Sequence, residues 1–247
     1  NNVTAQFTVH TTNGTLEIAA REVTVSVLDK TVEYNGSEQY GNDTYAFANV
    51  VDGQTATITY TPSHGTLVNT YANGAYTAST FKVMSGSTDV TSNYTLGTQT
   101  AGKLTITDRT DKYEITVVAN SNTGNVYDGT AKSATGFETL TFTVEGNTYT
   151  VSGLTTSDPT STDVCNLTNA ISGTAVVKDA NDNNVTAQFT VHTTNGTLEI
   201  TAREVTVSVA DKTVEYNGSE QYGESAYVFA NVVDGRTATI THTPSHV

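Results

Sequence analysis

The sequence predicts an all-β protein assembled from small tandem modules, and three observations carry that prediction. Threonine makes up about one residue in five, Val and Tyr are frequent, and the usual helix fillers Leu, Met, Lys and Arg are scarce; Thr, Val and Tyr favour strands. Apolar and polar residues alternate in short runs separated by Asn-Gly, Asp-Gly and Glu-Gly pairs, the pattern of half-buried strands joined by tight turns. Residues 183–246 repeat residues 1–64 at an offset of 182, with about seven in eight positions identical, so the chain carries a long tandem repeat.

In residues 1–20, Val3, Ala5, Phe7 and Val9 alternate with Thr4, Gln6, Thr8 and His10, Asn13-Gly14 offers a turn, and Leu16 and Ile18 continue the apolar face. The expectation is a hairpin that closes a preceding module. Arg21 opens a new strand in which Val23, Val25 and Val27 alternate with Thr24 and Ser26. Neither Gly nor Pro separates Ile18 from Val23, which places a module boundary at 20/21 with almost no linker. Residues 30–39 read K-T-V-E-Y-N-G-S-E-Q, a strand running into a turn where Asn and Gly accept φ > 0. The stretch returns unchanged at 212–221 and more loosely at 124–132 as G-N-V-Y-D-G-T-A-K. Further strands are expected at 45–51 and 55–61 about Asp52-Gly53, at 75–80, and at 81–84 before Ser85-Gly86. Residues 89–96 and 103–108 follow the hydrophobic phase of 1–20, so 21–109 forms one complete module (type A) that ends on the same hairpin.

A second complete module (type B) spans 110–202. Its first strand is expected at 113–119, the Tyr-Asp-Gly turn at 127–129, and a hairpin at 139–144 and 147–151 about Glu145-Gly146. Asp158-Pro159 sits in a polar loop, and strands at 175–177, 185–192 and 197–201 close the module. Residues 203–247 supply the N-terminal half of a further type A module. The segments 1–20 and 203–247 cannot close a core alone. They are expected to be ordered only where a neighbouring repeat or a second chain supplies the missing half.

The Tyr-[Asn/Asp]-Gly-[Ser/Thr] turn occurs at 34–37, 127–130 and 216–219, and the first two are followed, about 60–70 residues on, by a terminal V-T-x-x-[FY]-x-[VL] … L-x-I pattern. This combination resembles the MBG-type and YDG-type repeats of large bacterial cell-surface adhesins, over about half of each module. Many members carry Asp in the turn, whereas here Asn35 and Asn217 stand beside Asp128. The resemblance implies secreted, non-catalytic modules that act as stalks or binding units of wall-anchored or secreted adhesins. The expected architecture is a row of small Ig-like β-sandwiches of roughly 90 residues in an elongated rod; β-grasp-like modules, as in related mucin-binding repeats, are the alternative.

The formal charge of -14 argues against nucleic acid, which is held by clustered Lys and Arg. No apolar run reaches the roughly 20 residues of a membrane helix, and no signal peptide is visible; the chain opens inside a repeat, so any leader or wall anchor is expected outside it and the location to be extracellular. The single Cys165 cannot form an intrachain disulfide and reads as a small hydrophobe on a strand. No nucleophile elbow, metal-ligand pair or phosphate-cradling glycine loop occurs, so no catalytic, cofactor-binding or metal residue is assigned and the chain reads as a non-enzyme. His10, His64, His192, His242 and His246 do not fall at ligand spacing. Residues 179–184, D-A-N-D-N-N, read as a hairpin turn, with a calcium loop as the alternative. A Lys–Asn isopeptide cross-link would suit a surface protein without disulfides.

The function read from these features is a structural stalk or fibre segment of a bacterial surface adhesin, its partners being neighbouring repeats or further copies in a self-assembled filament. In the alternative, the modules bind a host glycan, mucin or another surface ligand. Asn42/Glu224, Asp43/Ser225, Gln54/Arg236 and Tyr60/His242, where the two type A copies differ, would then line the patch.

Overall fold

The structure, a computed structural model, describes residues 2–247; Asn1 of the 1–20 segment lies outside them. Among the described residues there are 23 short strands, three 3-10 turns and no α-helix. The strands form several small sheets, and the chain divides into two compact units, 1–110 and 111–247.

In the first unit the strands are β1 (Arg21–Val27), β2 (Lys30–Glu33), β3 (Gln39–Tyr40), β4 (Tyr45–Ala48), β5 (Gln54–Thr61), β6 (His64–Gly65), β7 (Asn69–Thr70), β8 (Ala75–Ser85), β9 (Thr88–Asp89), β10 (Tyr94–Thr100) and β11 (Leu104–Thr107). The alternation in β1 buries Val23, Val25 and Val27. β1 lies between β4, which it meets antiparallel, and β10, which it meets in parallel. At Leu28-Asp29 the chain crosses from this sheet to a second one, where β2 runs parallel to β11 and β11 also pairs antiparallel with β7. The last strand crosses at the same level: Lys30 N–H donates to Lys103 O at 2.9 Å, and Lys103 N–H donates to Asp29 Oδ1 at 3.0 Å. A third sheet, β5-β8-β9, covers the core with Ile58 and Val83.

The second unit repeats this plan. Its strands are β12 (Tyr113–Val118), β13 (Asn122–Val126), β14 (Lys132–Ser133), β15 (Thr141–Val144), β16 (Asn147–Thr156), β17 (Thr160–Ser161), β18 (Cys165–Asn169), β19 (Ile171–Asp179), β20 (Phe189–Thr194) and β21 (Gly196–Thr201). β12 pairs in parallel with β20, and β13 pairs in parallel with β21. The expected hairpin about Glu145-Gly146 is present as β15 and β16, with both turn residues at positive φ, the geometry that matches the twist of paired strands. β22 (Thr206–Val209) and β23 (Tyr227–Ala230) pair antiparallel as β1 and β4 do.

One strand-pairing expectation is corrected. The terminal pairs 89–108 and 185–201 are not hairpins. β10 and β11, like β20 and β21, lie in different sheets, each on the corresponding segment of its module's first strand. Gly196, expected in a turn, has no left-handed backbone. It lies where the first strand crosses over, and a Cβ there would sit 2.1 Å from Asn120 O. The two strands expected on either side of Asp52-Gly53 are present as β4 and β5; β4 joins β1 and β5 joins β8. Alternation fixes which face is buried and says nothing about which strand lies alongside.

Residues 2–20 carry no strand; the only regular element among them is the 3-10 turn Thr4–Gln6. Residues 3–18 are identical in sequence to 185–200, so one sequence occurs with and without its partner strand. Leu198 is 0% exposed and Leu16 90%; Phe189 is 5% exposed and Phe7 69%. The Gly14 Cβ position has nothing within 4 Å.

Gly196→Ala should therefore destabilise the second unit by about 2–3 kcal/mol through overpacking against the crossing backbone, while Gly14→Ala should change stability by less than about 0.5 kcal/mol. Chemical denaturation followed by fluorescence or circular dichroism reads the difference, and equal effects would contradict the crossing geometry.

Candidate interaction surface

Four of the positions at which the type A copies differ, 42, 43, 54 and 60, do not gather into one patch. Asn42 follows β3, and its Nδ2 donates to Leu28 O and Asp29 O at 3.0 and 3.3 Å, tying the loop to the crossing point of the first strand. Tyr60 on β5 reaches the same crossing: its hydroxyl donates to Gly102 O at 3.3 Å and its ring meets Tyr76 at 4.7 Å between centroids. Burial pushes the Tyr60 hydroxyl pKa up, with Asp29 adding to the effect. Gln54 has a different partner, accepting from the Tyr94 hydroxyl at 2.6 Å, while Val51 N–H donates to that same hydroxyl at 3.3 Å. Asp43 is exposed and bonds only its neighbour Thr44.

In the other copy the linked pair changes together. Glu224 Oε1 accepts from Ser225 N–H and Ala226 N–H at 2.9 and 3.0 Å. These bonds, chiefly that from Ala226, hold its carboxyl below the usual range. His242 Nε2 lies 3.3 Å from Glu224 O. Arg236 sits beside the Tyr-Asp-Gly turn of the type B module, where Val233 Cγ1 would be 3.1 Å from a Cβ on Gly129. Tyr127, Val164, Val205, Val232 and Arg236 line an open hollow of about 260 Å³ there. Asn42 and Tyr60 thus differ at a strand crossing, and Arg236 at the contact between successive repeats.

The turns behave as the sequence predicts. Ser37, Thr130 and Ser219 each donate a backbone N–H to the Asn or Asp two residues earlier, at 2.9, 2.9 and 3.0 Å. Gly36, Gly129 and Gly218 all take left-handed φ near 78°. The type B copy adds charge: Lys132 Nζ lies 2.8 Å from Asp128 Oδ2, and Thr130 Oγ1 donates to Oδ1 at 2.6 Å. The Lys132 ammonium, with the Thr130 hydroxyl and amide, holds the Asp128 carboxyl far below the ordinary carboxylate range.

The other candidate residues have ordinary partners. Asp179 Oδ1 accepts from Asn181 N–H and Asn183 N–H, and Asp182 pairs with Lys178 at 2.8 Å. Among the described residues no group of three or more His, Cys, Asp or Glu could hold a metal ion. The buried Asn169 donates to Asn120 O and accepts from Asp158 N–H, both at 3.1 Å, so its amide is engaged by backbone rather than by a lysine. Cys165 is half-buried on β18. His64, His192 and His246 are exposed and lie 3.8–3.9 Å from Glu38, Glu114 and Glu220 respectively.

Sequence reading missed one device. Asn49 takes a left-handed φ of 70°, accepts from Arg21 Nη2 at 2.7 Å and donates to Glu22 O at 2.6 Å. Asn231 has φ 67°, accepts from Arg203 Nε through its carbonyl and donates to Glu204 O. The signal was available as an Arg and an Asn separated by 28 residues in both copies.

No family model, curated protein or solved structure matches the chain. Among the described residues no helix is long and apolar enough to cross a membrane.

The folded pKa of Asp128 is depressed, so its contribution to stability is present above the unfolded carboxylate pKa of about 4 and is lost as pH falls through the folded value. In an acid titration followed by amide chemical shifts, Thr130 should keep its shift through the ordinary carboxylate range and move only at lower pH. Asp128→Asn should abolish that movement, as at Ser37 and Ser219. A Thr130 transition at the ordinary carboxylate midpoint would contradict the Lys132 pairing.

Proposed function

We propose that this chain is a stalk or fibre segment of a bacterial surface adhesin, built from MBG-type modules with an Ig-like sandwich topology, that projects outside the cell or forms a filament there. The observation that carries this reading is the parallel pairing of first and last strands in both complete modules. A chain whose last strand runs in the same direction as its first enters a module at one end and leaves at the other. Tension along such a chain shears the two parallel ladders, so their hydrogen bonds are loaded together. A hairpin pulled at its open end is loaded one bond at a time. Stability without disulfides, an acidic surface and near-identical neighbouring copies suit the same role. The extracellular location and the adhesin assignment rest on the resemblance of the turn and terminal-strand motifs.

The second reading is ligand binding by the modules. It is favoured by the hollow at Tyr127 and Arg236, where one of the copy differences falls. Host glycan or mucin is the ligand class to test there, on glycan arrays with the whole chain.

Single-molecule extension tests the stalk reading. Pulled through its two ends, each complete module should release on the order of 30 nm of contour in one step. The force should be several-fold higher than when the type A module is pulled through Arg21 and Tyr94. Those residues are register partners at one end of the parallel ladder, so that geometry peels the strands apart. Equal forces in the two geometries would count against a load-bearing role, and specific capture on the array with equal forces would favour the binding reading.

A further inference from the structure

The two complete modules differ at one sheet edge. In the type B module β16 is a middle strand, with β15 on one side and β19 on the other. The matching strand of the type A module is β5. Ala56 lies opposite Val83 on β8 as Val151 lies opposite Val177 on β19. Val83 and Val177 each donate an N–H to the threonine hydroxyl of the following 3-10 turn, Thr91 and Thr186, at 2.9 and 2.8 Å. Here, however, β5 is the edge of its sheet, in the order β5-β8-β9. The residues just before it are engaged elsewhere: Tyr45–Ala48 pairs with β1, and Asn49 takes its left-handed backbone at Arg21.

The phase of the ladder fixes which main-chain groups face that edge. Val83 turns its N–H and C=O to Thr91 and Val90, away from β5. The Ala56–Val83 pair is therefore of the non-hydrogen-bonded kind, and Ala56 turns its own N–H and C=O away from β8. Thr59 N–H points toward β8, donating to Thr80 Oγ1 at 2.7 Å, so Ile58 and Tyr60 face the same way as Ala56. In the type B module the group that matches Ala56 N–H, that of Val151, donates to Leu140 O at 2.8 Å. Among the described residues, the N–H groups of Ala56, Ile58 and Tyr60 have no main-chain partner of that kind. Ile58 is only 5% exposed, so water does little to replace one, and main-chain groups shielded from water ordinarily pair.

The edge also lacks the devices that keep strands apart. Gln54–Thr61 reads Q-T-A-T-I-T-Y-T, without a charged residue or a proline. It is self-complementary in the antiparallel sense. With Ile58 opposite Ile58 of a second copy, Ala56 faces Tyr60, and the free main-chain groups meet as hydrogen-bonded pairs. Thr57 then faces Thr59 and Thr55 faces Thr61, all four being exposed on one face of the sheet. Cross-strand Thr–Thr pairs are favourable. The ladder also ends cleanly. The next pair in this register is Gln54 with Pro62; Gln54 N–H already donates to Val51 O at 3.0 Å, and proline has no N–H.

We propose that β5 of the type A module pairs antiparallel with β5 of a second chain, centred on Ile58, and so joins two three-stranded sheets into one of six strands. The contact is isologous, with the same edge used by both copies. The main-chain ladder supplies affinity, and the inward Ala56, Ile58 and Tyr60 supply register. The edge belongs to the module 21–109 and owes nothing to the chain ends. This inference stands apart from the stalk reading, since it concerns association between chains and needs no load.

Sedimentation of the whole chain across the micromolar to millimolar range should show a shift from 26.1 kDa to twice that mass. A Thr57→Lys, Thr59→Lys double variant sets like charges opposite each other on both sides of Ile58 and should weaken association at least tenfold. A Thr57→Lys, Thr59→Glu double variant sets opposite charges across the same two pairs and should restore it. Both threonines are exposed, so the modules stay folded, as unchanged circular dichroism would verify. In a Cys165→Ser background, a Thr57→Cys chain should form a disulfide with a Thr59→Cys chain, since the Cα atoms of a non-hydrogen-bonded pair lie about 4.5 Å apart. It should not do so with a Thr150→Cys chain, altered on β16, whose edge β15 covers. A chain monomeric at every concentration overturns the proposal, as does a dimer indifferent to the paired lysines or cross-linking that is equal at Thr59 and Thr150.

Discussion

The parallel contact between the first and last strands is the constraint on which the rest of each complete module depends. It spans two sheets, so the first strand and the last must cross between them at the same level. That need sets several local features at once. The Leu28-Asp29 break is matched by the break at 101–103, and Asp29 binds the amide of Lys103. Glycine stands at 102 and 196, where a Cβ would come within 2.4 Å of Leu28 O or 2.1 Å of Asn120 O. Asn42 and Tyr60 then supply hydrogen bonds to the carbonyls that the crossing leaves outside the ladders. Buried backbone polar groups must find partners, and side chains do that work where strands change sheets.

The repeated sequence allows this constraint to be weighed within one molecule. Residues 3–18 and 185–200 have the same propensities, the same alternation and the same 3-10 turn. Only the second set lies on a first strand, and only the second set is paired and has its apolar residues buried. Full burial of a Phe, Leu or Ile side chain is worth about 1.5–3 kcal/mol. The closing strand, with Phe189, Leu198 and Ile200, therefore contributes several such increments to a small core that has no disulfide. Residues 206–209 and 227–230 show the converse case: the antiparallel pair forms, while the copies of β2 and β5 do not. Those two strands need β11 and β8, which arise later in the module.

The sequence made the strand content, the three Asx-type turns and the Glu145-Gly146 hairpin legible, because each depends on a few adjacent residues. Pairing was not legible where partners are remote. Asn195-Gly196 looks like a turn by local rules, yet its glycine is required by Asn120, some 75 residues earlier. The alternation in β10 and β11 is what a hairpin would show, and also what two strands on separate sheets show. The positions where copies differ looked like one ligand patch because 42–60 is contiguous in sequence. In space, Asn42 and Tyr60 share the strand crossing while Gln54 belongs to Tyr94. The Arg21–Asn49 contact escaped notice because nothing local marks an asparagine that takes a left-handed backbone to receive an arginine.

The account rests on the claim that a module is closed by docking its last strand in parallel on its first. Amide hydrogen exchange of the 247-residue chain at a dilution where it is monomeric tests that claim most directly. The identical residues at 16, 18, 198 and 200 serve as internal controls. The account predicts strong protection at Leu198 and Ile200 and exchange near the unprotected rate at Leu16 and Ile18. Equal protection at the two sites would show that the segment orders itself without its partner strand and would contradict the account.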